Sequence, residues 1–286
     1  MEIFQIIVNG LALGALYACL AVGFSLVWGV LNVINMLHGT FVVFGGYLAY
    51  FCWSYLGLNP FLVIIPIGII LYLIGYFLQY YLNNRVIGAP VLTTLTLTFG
   101  LDMIVYNIMT VYFSATPRRI RLDLGSFEFA GVFMPADRLL GMVLAVILTA
   151  MLYYVMRFSN IGRAIVAVRM DRTAAELMGI RIKNIYSITF GIGALMAGLA
   201  GVIMVLIFPT TTSVAGAYLG KAFIVCVVGG LGSVPGAFIG GLALGLVESL
   251  AAQFIGPQNA PILGFMLLLF LLLVKPTGLI GVKGYE

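Results

Sequence analysis

Charge is what this chain most lacks. Of its 286 residues only 8% are Asp, Glu, Lys or Arg, against 63% hydrophobic, and the mean hydropathy is +1.18. Soluble domains carry about 25% charged and about 45–50% apolar residues. A chain of this size has too little interior to hide so much apolar surface, which excludes a water-soluble globular enzyme. The same hydropathy excludes a disordered chain. Histidine occurs once, as His38, and cysteine three times, as Cys19, Cys52 and Cys226. The cysteines lie in apolar stretches without metal-type spacing and read as small buried hydrophobes. The net charge of +5 is scattered over segment ends and one cluster. A nucleic-acid binder presents a basic face on a folded domain, and none is visible. A phosphate-binding loop is missing too. The nearest string, residues 216–222, has the wrong spacing and no hydroxyl to ligand Mg²⁺. Glu2 and no basic residue precede the first long apolar run, the pattern of a first membrane span rather than a cleaved signal peptide.

What is present is a succession of apolar runs. They cover about residues 6–31, 39–56, 61–82, 91–113, 139–156, 185–208, 223–255 (interrupted) and 262–274. A spanning helix takes about 20 residues. The chain therefore reads as an all-α polytopic membrane protein of about eight spans, a single transmembrane domain over residues 1–286. Asn59-Pro60, Asn83-Asn84-Arg85, Pro209 with Thr210 to Ser213, and Gly256-Pro257 punctuate the runs. Gly10/Gly14, Gly236/Gly240 and Gly241/Gly245 have the small-xxx-small spacing that lets helix backbones approach closely. The last run is short, bracketed by Pro261 and Lys275.

Two loops are long, at about 114–138 and 157–184. The second holds Arg157, Arg163, Arg169, Arg172, Arg181 and Lys183 against Asp171 and Glu176. As the more basic loop it is expected to be cytoplasmic. Alternation then places Arg85, Lys275, Lys283 and the C-terminus inside, and the N-terminus and the 114–138 loop outside. Run 91–113 carries Asp102 at its centre. A central Asp costs roughly 3 kcal/mol in a span, so that side is expected to face protein or water, inside the bundle or at a subunit contact.

Two apolar runs break where a membrane helix is expected to continue, at 32–39 and at 229–236. Each resumes in the pattern G-x-F-apolar, at Gly39-Thr40-Phe41-Val42 and Gly236-Ala237-Phe238-Ile239, an offset of 197 residues. Irregular backbone at membrane depth survives only inside protein or beside a wet cavity. Paired Gly/Pro-interrupted segments in two halves mark pseudo-repeated half-helices and a transport path. The candidate path residues are Asn32, Asn35, His38, Gly39, Gly230, Gly232, Ser233, Pro235 and Gly236. Within them Asn32 and Asn35 are expected to satisfy broken backbone, and His38 to cap the helix that follows. The resumed helices would aim their N-terminal dipoles at the membrane interior, favourable for an anionic group such as a carboxylate. Glu248 is expected to be structural, paired with Lys221 or with a partner chain, unless it lines the path.

In the basic loop, Thr173 and Glu176 have capping-box spacing. Ala174, Ala175, Leu177 and Met178 are helix formers, and Gly179 is placed to end the helix in the left-handed conformation. So short a helix is unstable alone and needs something to dock on.

Ala174-Ala175-Glu176-x-x-Gly179 resembles the coupling motif by which ABC importer permeases dock on their ATPases. The stretch from Gly162-Arg163-Ala164 through Ile180, the string Asn35 to Gly39, the string Gly229 to Ala237, and the closing Pro276-Thr277-Gly278-Leu279 are similar to permeases of the branched-chain amino-acid ABC transporter family. The resemblance covers nearly the whole chain and points to the smaller of two paired permeases. It implies amino-acid uptake across a bacterial inner membrane. It also implies a second homologous permease, two ATP-binding cassette subunits and an extracytoplasmic binding protein. ATP and Mg²⁺ would be bound by those ATPase subunits; this chain would bind no cofactor, touch only lipid and protein partners, and catalyse no reaction. Coupling would fall to Arg163, Thr173, Ala174, Ala175, Glu176, Leu177, Met178 and Gly179. Two other readings remain. A self-sufficient channel or secondary transporter for a small polar solute such as urea shares the broken helices but leaves the docking helix without a purpose. An intramembrane Ser233–His38 enzyme lacks the G-x-S-x-G frame and an orienting acid.

Overall fold

The computed structural model describes residues 2–113, 116–122, 125–129 and 132–280. They form eleven helices and one hairpin: α1 (Glu2–Leu31), α2 (Leu37–Leu56), α3 (Pro60–Tyr81), α4 (Val91–Phe113), β1 (Ser126–Phe129), β2 (Val132–Pro135), α5 (Ala136–Phe158), α6 (Asn160–Met170), α7 (Arg172–Leu177), α8 (Ile182–Ile207), α9 (Ala215–Gly229), α10 (Val234–Ile255) and α11 (Ala260–Val274). Seven helical stretches are long and apolar enough to cross a membrane: α1, α3, α4, α5, α8, α10, and α9 together with the short turn before it (Thr212–Gly229). An all-helical fold follows from the composition, because a helix satisfies its backbone polar groups within one segment where water is absent.

Sequence punctuation sets the boundaries. Gly57 ends α2 at φ 64°, and Asn59 caps α3, its side chain accepting from Phe61 N at 3.0 Å with Pro60 at the first turn. The expected single interrupted run at 223–255 is instead two helices. Gly229 of α9 packs on Gly236 of α10, and Gly240 on Val225, so the helices run antiparallel. The chain reverses through Gly230 (φ 109°) and Gly232 (φ 76°), conformations open to glycine, before Ser233 caps α10.

α1 and α8 are the buried centre. α1 packs on α10, α8, α9 and α5; α8 packs on α3, α2, α1 and α5. All three glycine pairs sit at crossings. At Gly14 a Cβ would lie 2.7 Å from the Leu242 backbone, so α1 and α10 meet backbone to backbone. α4 lies at the edge rather than inside the bundle: Thr94, Thr98 and Met109 are buried, Asp102 is half-buried, and most of the remainder is exposed.

The elements sort to two ends. At one end the Gln5 side chain pairs with both Phe133 N and Phe133 O at 2.9 Å, Arg138 donates to Asn9 at 3.4 Å, and Arg118 bridges Thr210. At the other, Asn84 donates to Lys183 O at 3.2 Å and Leu279 N donates to Val228 O at 2.9 Å. Arg85, α6, α7 and the segment after α11 thus share one end, and the N-terminus and hairpin share the opposite one. Ser114, Asp123 and Lys283, which the loop and charge expectations included, lie outside the described residues.

Candidate functional site

The basic loop folds as two helices. Ser159 caps α6 by accepting from Gly162 N at 2.9 Å. Gly162, Ile165 and Val168, three residues apart, turn one face inward, while Arg163 stays exposed and bonds Asn160. Asp171, in extended conformation, caps α7 by accepting from Ala174 N at 3.0 Å. This corrects the capping-box expectation. The cap is Asp171, whose carboxylate also complements the helix dipole, and Thr173 sits in the first turn. Gly179, at φ 83°, closes the helix as expected; Gly179 N bonds Glu176 O and Ile180 N bonds Ala175 O, at 3.0 and 3.1 Å. Of the helix and its cap only Ala175 is buried. Thr173, Ala174, Glu176 and Gly179 are exposed, and Leu177 and Met178 are 84% and 83% exposed.

The segment 32–36 doubles back into the bundle. Asn32 ends α1 at φ 51°, in the left-handed region where Asn is enriched. The chain returns along α1 until His38 Nε2 meets Leu20 O at 2.8 Å, well back from Leu31. A carbonyl only accepts, so Nε2 carries the proton and Nδ1 is a buried acceptor with no partner. Asn35 Oδ1 accepts from Leu37 N at 3.1 Å; its Nδ2 is buried and also unpartnered. α4 covers the break: Thr98 donates to Ile34 O at 3.0 Å, and Thr40 donates to Asp102. Asp102 thus lies against the start of α2, one turn along α4 from Thr98.

The expected partner of this break is not its counterpart. Gly230, Gly232, Ser233, Pro235 and Gly236 form the reversal between α9 and α10, at the α6–α7 end. There Gly232 abuts Gly29 near the end of α1, and Arg169 of α6 donates to Gly232 O at 2.6 Å. Ser233 Oγ accepts from Gly236 N at 3.1 Å, and Pro235 is exposed. The N-terminus of α10 therefore lies at an end of the bundle, not within it. The segment that does enter the bundle in the second half is 208–214, between α8 and α9. It buries an unpartnered Thr212 hydroxyl. Gly39 near the start of α2 packs on Ala215 and Leu219 at the start of α9. So Asn35, His38 and Gly39 lie together deep in the fold, while Asn32 and the five residues of the reversal lie towards α6. No hydrogen bond joins Ser233 and His38 among the described residues.

Glu248 proves to be paired within this chain. Tyr17 OH donates to its carboxylate at 2.5 Å, and Lys221 Nζ lies 3.0 Å from the same oxygen and also bonds Tyr17. This triad joins α1, α9 and α10. It borders a cavity of about 510 Å³ that Asn9, Arg138 and Ser249 also line.

Sequence reasoning missed the roles of Arg169, Asp171 and Arg138. Arg169 was visible only as one of a cluster of basic residues. Asp171 carried a usable signal, an Asx residue directly before a helix-forming run. Arg138 lies far from Asn9 in sequence, and nothing local announces their meeting.

Residues 6–274 match the family model described as branched-chain amino acid transport system / permease component. The chain is 31% identical to the high-affinity branched-chain amino acid transport system permease protein BraD of Pseudomonas aeruginosa, covering 97% of this chain and 95% of that one. It is 30% identical to the corresponding LivH of Salmonella typhimurium, over 96% and 94% of the two chains. The fructose import permease FruG of Bifidobacterium longum is 25% identical over 49% of this chain and 44% of its own. No solved structure matches.

Proposed function

From the premise that this chain belongs to the branched-chain amino acid transport system permease family, we propose that it is a transmembrane subunit of an ABC importer that takes up branched-chain or other neutral amino acids. A second, homologous permease completes the path. Two ATP-binding cassette subunits supply the energy and bind ATP and Mg²⁺, and an extracytoplasmic protein delivers the substrate. The complex lies in the cytoplasmic membrane of a bacterium. The hairpin end faces outward to receive the binding protein, and the basic α6–α7 end faces the cytoplasm, in keeping with the positive-inside rule.

One observation carries the reading. α7 is closed at both ends by its own caps and yet presents Leu177 and Met178 almost fully exposed at the end of a basic loop. An exposed apolar pair at the end of a capped helix is a knob for a groove on another protein. ATP-driven movement of that groove reaches the bundle through α6, whose Arg169 holds the α9–α10 reversal at Gly232. Rigid-body motion of α1, α9 and α10 against the second permease then opens the path past Asn35, His38 and Gly39. The chain itself makes and breaks no covalent bond.

The test is affinity purification from native membranes in mild detergent, with Leu177→Asp/Met178→Asp alongside. Burying each side chain is worth about 1.5–3 kcal/mol. The double variant is therefore expected to lose its ATPase at least a hundredfold while retaining the second permease. A chain that purifies alone, or whose partners ignore the variant, overturns the reading in favour of a self-sufficient channel or carrier.

A further inference from the structure

The cavity at the hairpin end has a charge balance that the triad does not explain. Three ionised side chains face it, Arg138 from α5, Lys221 from α9 and Glu248 from α10. Lys221 and Glu248 neutralise each other at 3.0 Å. Arg138 has no carboxylate partner among the described residues. Its neighbour Asp137 is bound to Arg119 at 3.0 Å, and the Arg138 guanidinium reaches only the Asn9 amide oxygen, at 3.4 Å. The cavity therefore holds one uncompensated positive charge beside a low-dielectric wall, where attraction for an anion is strongest. Its guanidinium fork matches a carboxylate in two parallel bonds. The same cavity has apolar lining from Leu13, Leu16 and Phe208. Tyr17, Glu248 and Ser249 line it as well, and the Ser249 hydroxyl, which donates to Ile6 O at 2.8 Å, keeps its lone pairs for a donor. A volume of about 510 Å³ falls within the range of about 300–1,000 Å³ typical of small-molecule sites.

We propose that this cavity is a receiving site for a small amphiphilic monocarboxylate, an α-amino acid with an aliphatic side chain. Arg138 takes the carboxylate, Glu248 and Ser249 face the ammonium, and Leu13, Leu16 and Phe208 take the side chain. The proposal rests on the import reading and adds a site to it. The cavity lies at the hairpin end, before the broken segments, so it is where a substrate released by a binding protein would first be held by this subunit.

The test uses the complex as purified, placed in nanodiscs of phosphatidylcholine, without the binding protein. Binding of tritiated L-leucine is measured with unlabelled L-leucine and L-leucinamide as competitors, for the native complex, Arg138→Gln and Ala252→Trp. The first variant removes the charge; the second fills the cavity from α10 and leaves the charge in place. The expected result is a dissociation constant for leucine raised at least tenfold in both variants, with leucinamide a poor competitor in the native complex. ATPase co-purification is expected to be unchanged. Undetectable leucine binding, binding indifferent to both variants, or equal competition by leucinamide overturns the site. So does a phospholipid found by mass spectrometry in the native complex and lost in Arg138→Gln with leucine binding intact. If the ATPase is recovered in these cases, the import reading stands and only the site falls; if no ATPase accompanies the chain, the import reading itself falls.

Discussion

Removing the Lys221 ammonium tests the packing of three helices at once. In Lys221→Met the Glu248 side chain, 5% exposed, keeps the Tyr17 bond and loses its counter-charge. Removing one partner of a buried pair costs about 3–5 kcal/mol. The retained hydroxyl and the adjoining cavity put this case near 3. Glu248→Gln leaves Lys221 unpaired instead, but that side chain is 22% exposed and reaches the cavity, so the cost is about 2 kcal/mol. The double variant buries a neutral amide that still accepts from Tyr17 beside an apolar chain. It is expected to cost about 2 kcal/mol rather than the roughly 5 that independence requires, because contacting residues couple by as much as about 3. The assay is reversible unfolding of the detergent-solubilised chain in mixed micelles with SDS, read by far-ultraviolet circular dichroism for all four proteins. Additive costs, or a Lys221→Met cost below about 1 kcal/mol, would refute the claim that the triad is a desolvated, coupled unit joining α1, α9 and α10.

Other consequences are quicker to check. Gly14→Ala forces a methyl to 2.7 Å from the Leu242 backbone. It should destabilise the α1–α10 crossing by about 1–3 kcal/mol in the same unfolding assay. Gly100→Ala, with open space around its Cβ, should change stability by less than about 1 kcal/mol. Asp171→Ala removes the α7 cap at about 1 kcal/mol and should weaken ATPase co-purification roughly fivefold, whereas Thr173→Ala should leave it within twofold. Arg169→Gln loses the charged donor to Gly232. It should keep its partners and its ATP hydrolysis while uptake falls at least tenfold, as measured by radiolabelled transport in vesicles.

Most local chemistry was legible in the sequence, the α7 cap excepted, and most non-local chemistry was not. Asn59-Pro60 and Gly179 announced their turns because a cap or a positive φ is a property of a few adjacent residues. The glycine pairs announced close crossings because only a missing side chain allows them. The break at 32–36 was legible for the same reason. Its partner was misplaced because glycines mark any tight backbone, a reversal at the bundle end as readily as a re-entrant segment. Residues 208–214, rich in hydroxyls, read as a loop. Asp102 looked unplaced until Thr40, 62 positions away, proved to be its donor. Lys221 stood as only one of two partners for Glu248 until the distances decided. The hairpin β1–β2 was not anticipated; its strands are four residues each and are held in part by Gln5, from the far end of the chain.

The central claim is that this chain converts ATP hydrolysis in partner subunits into amino-acid entry. The most direct measurement is uptake of tritiated L-leucine by proteoliposomes holding the purified complex, with ATP and Mg²⁺ enclosed at the α7 face and binding protein added outside. The account predicts accumulation against a gradient that needs hydrolysable ATP and disappears in Leu177→Asp/Met178→Asp. Uptake that proceeds without ATP, or that the double variant leaves intact, contradicts it.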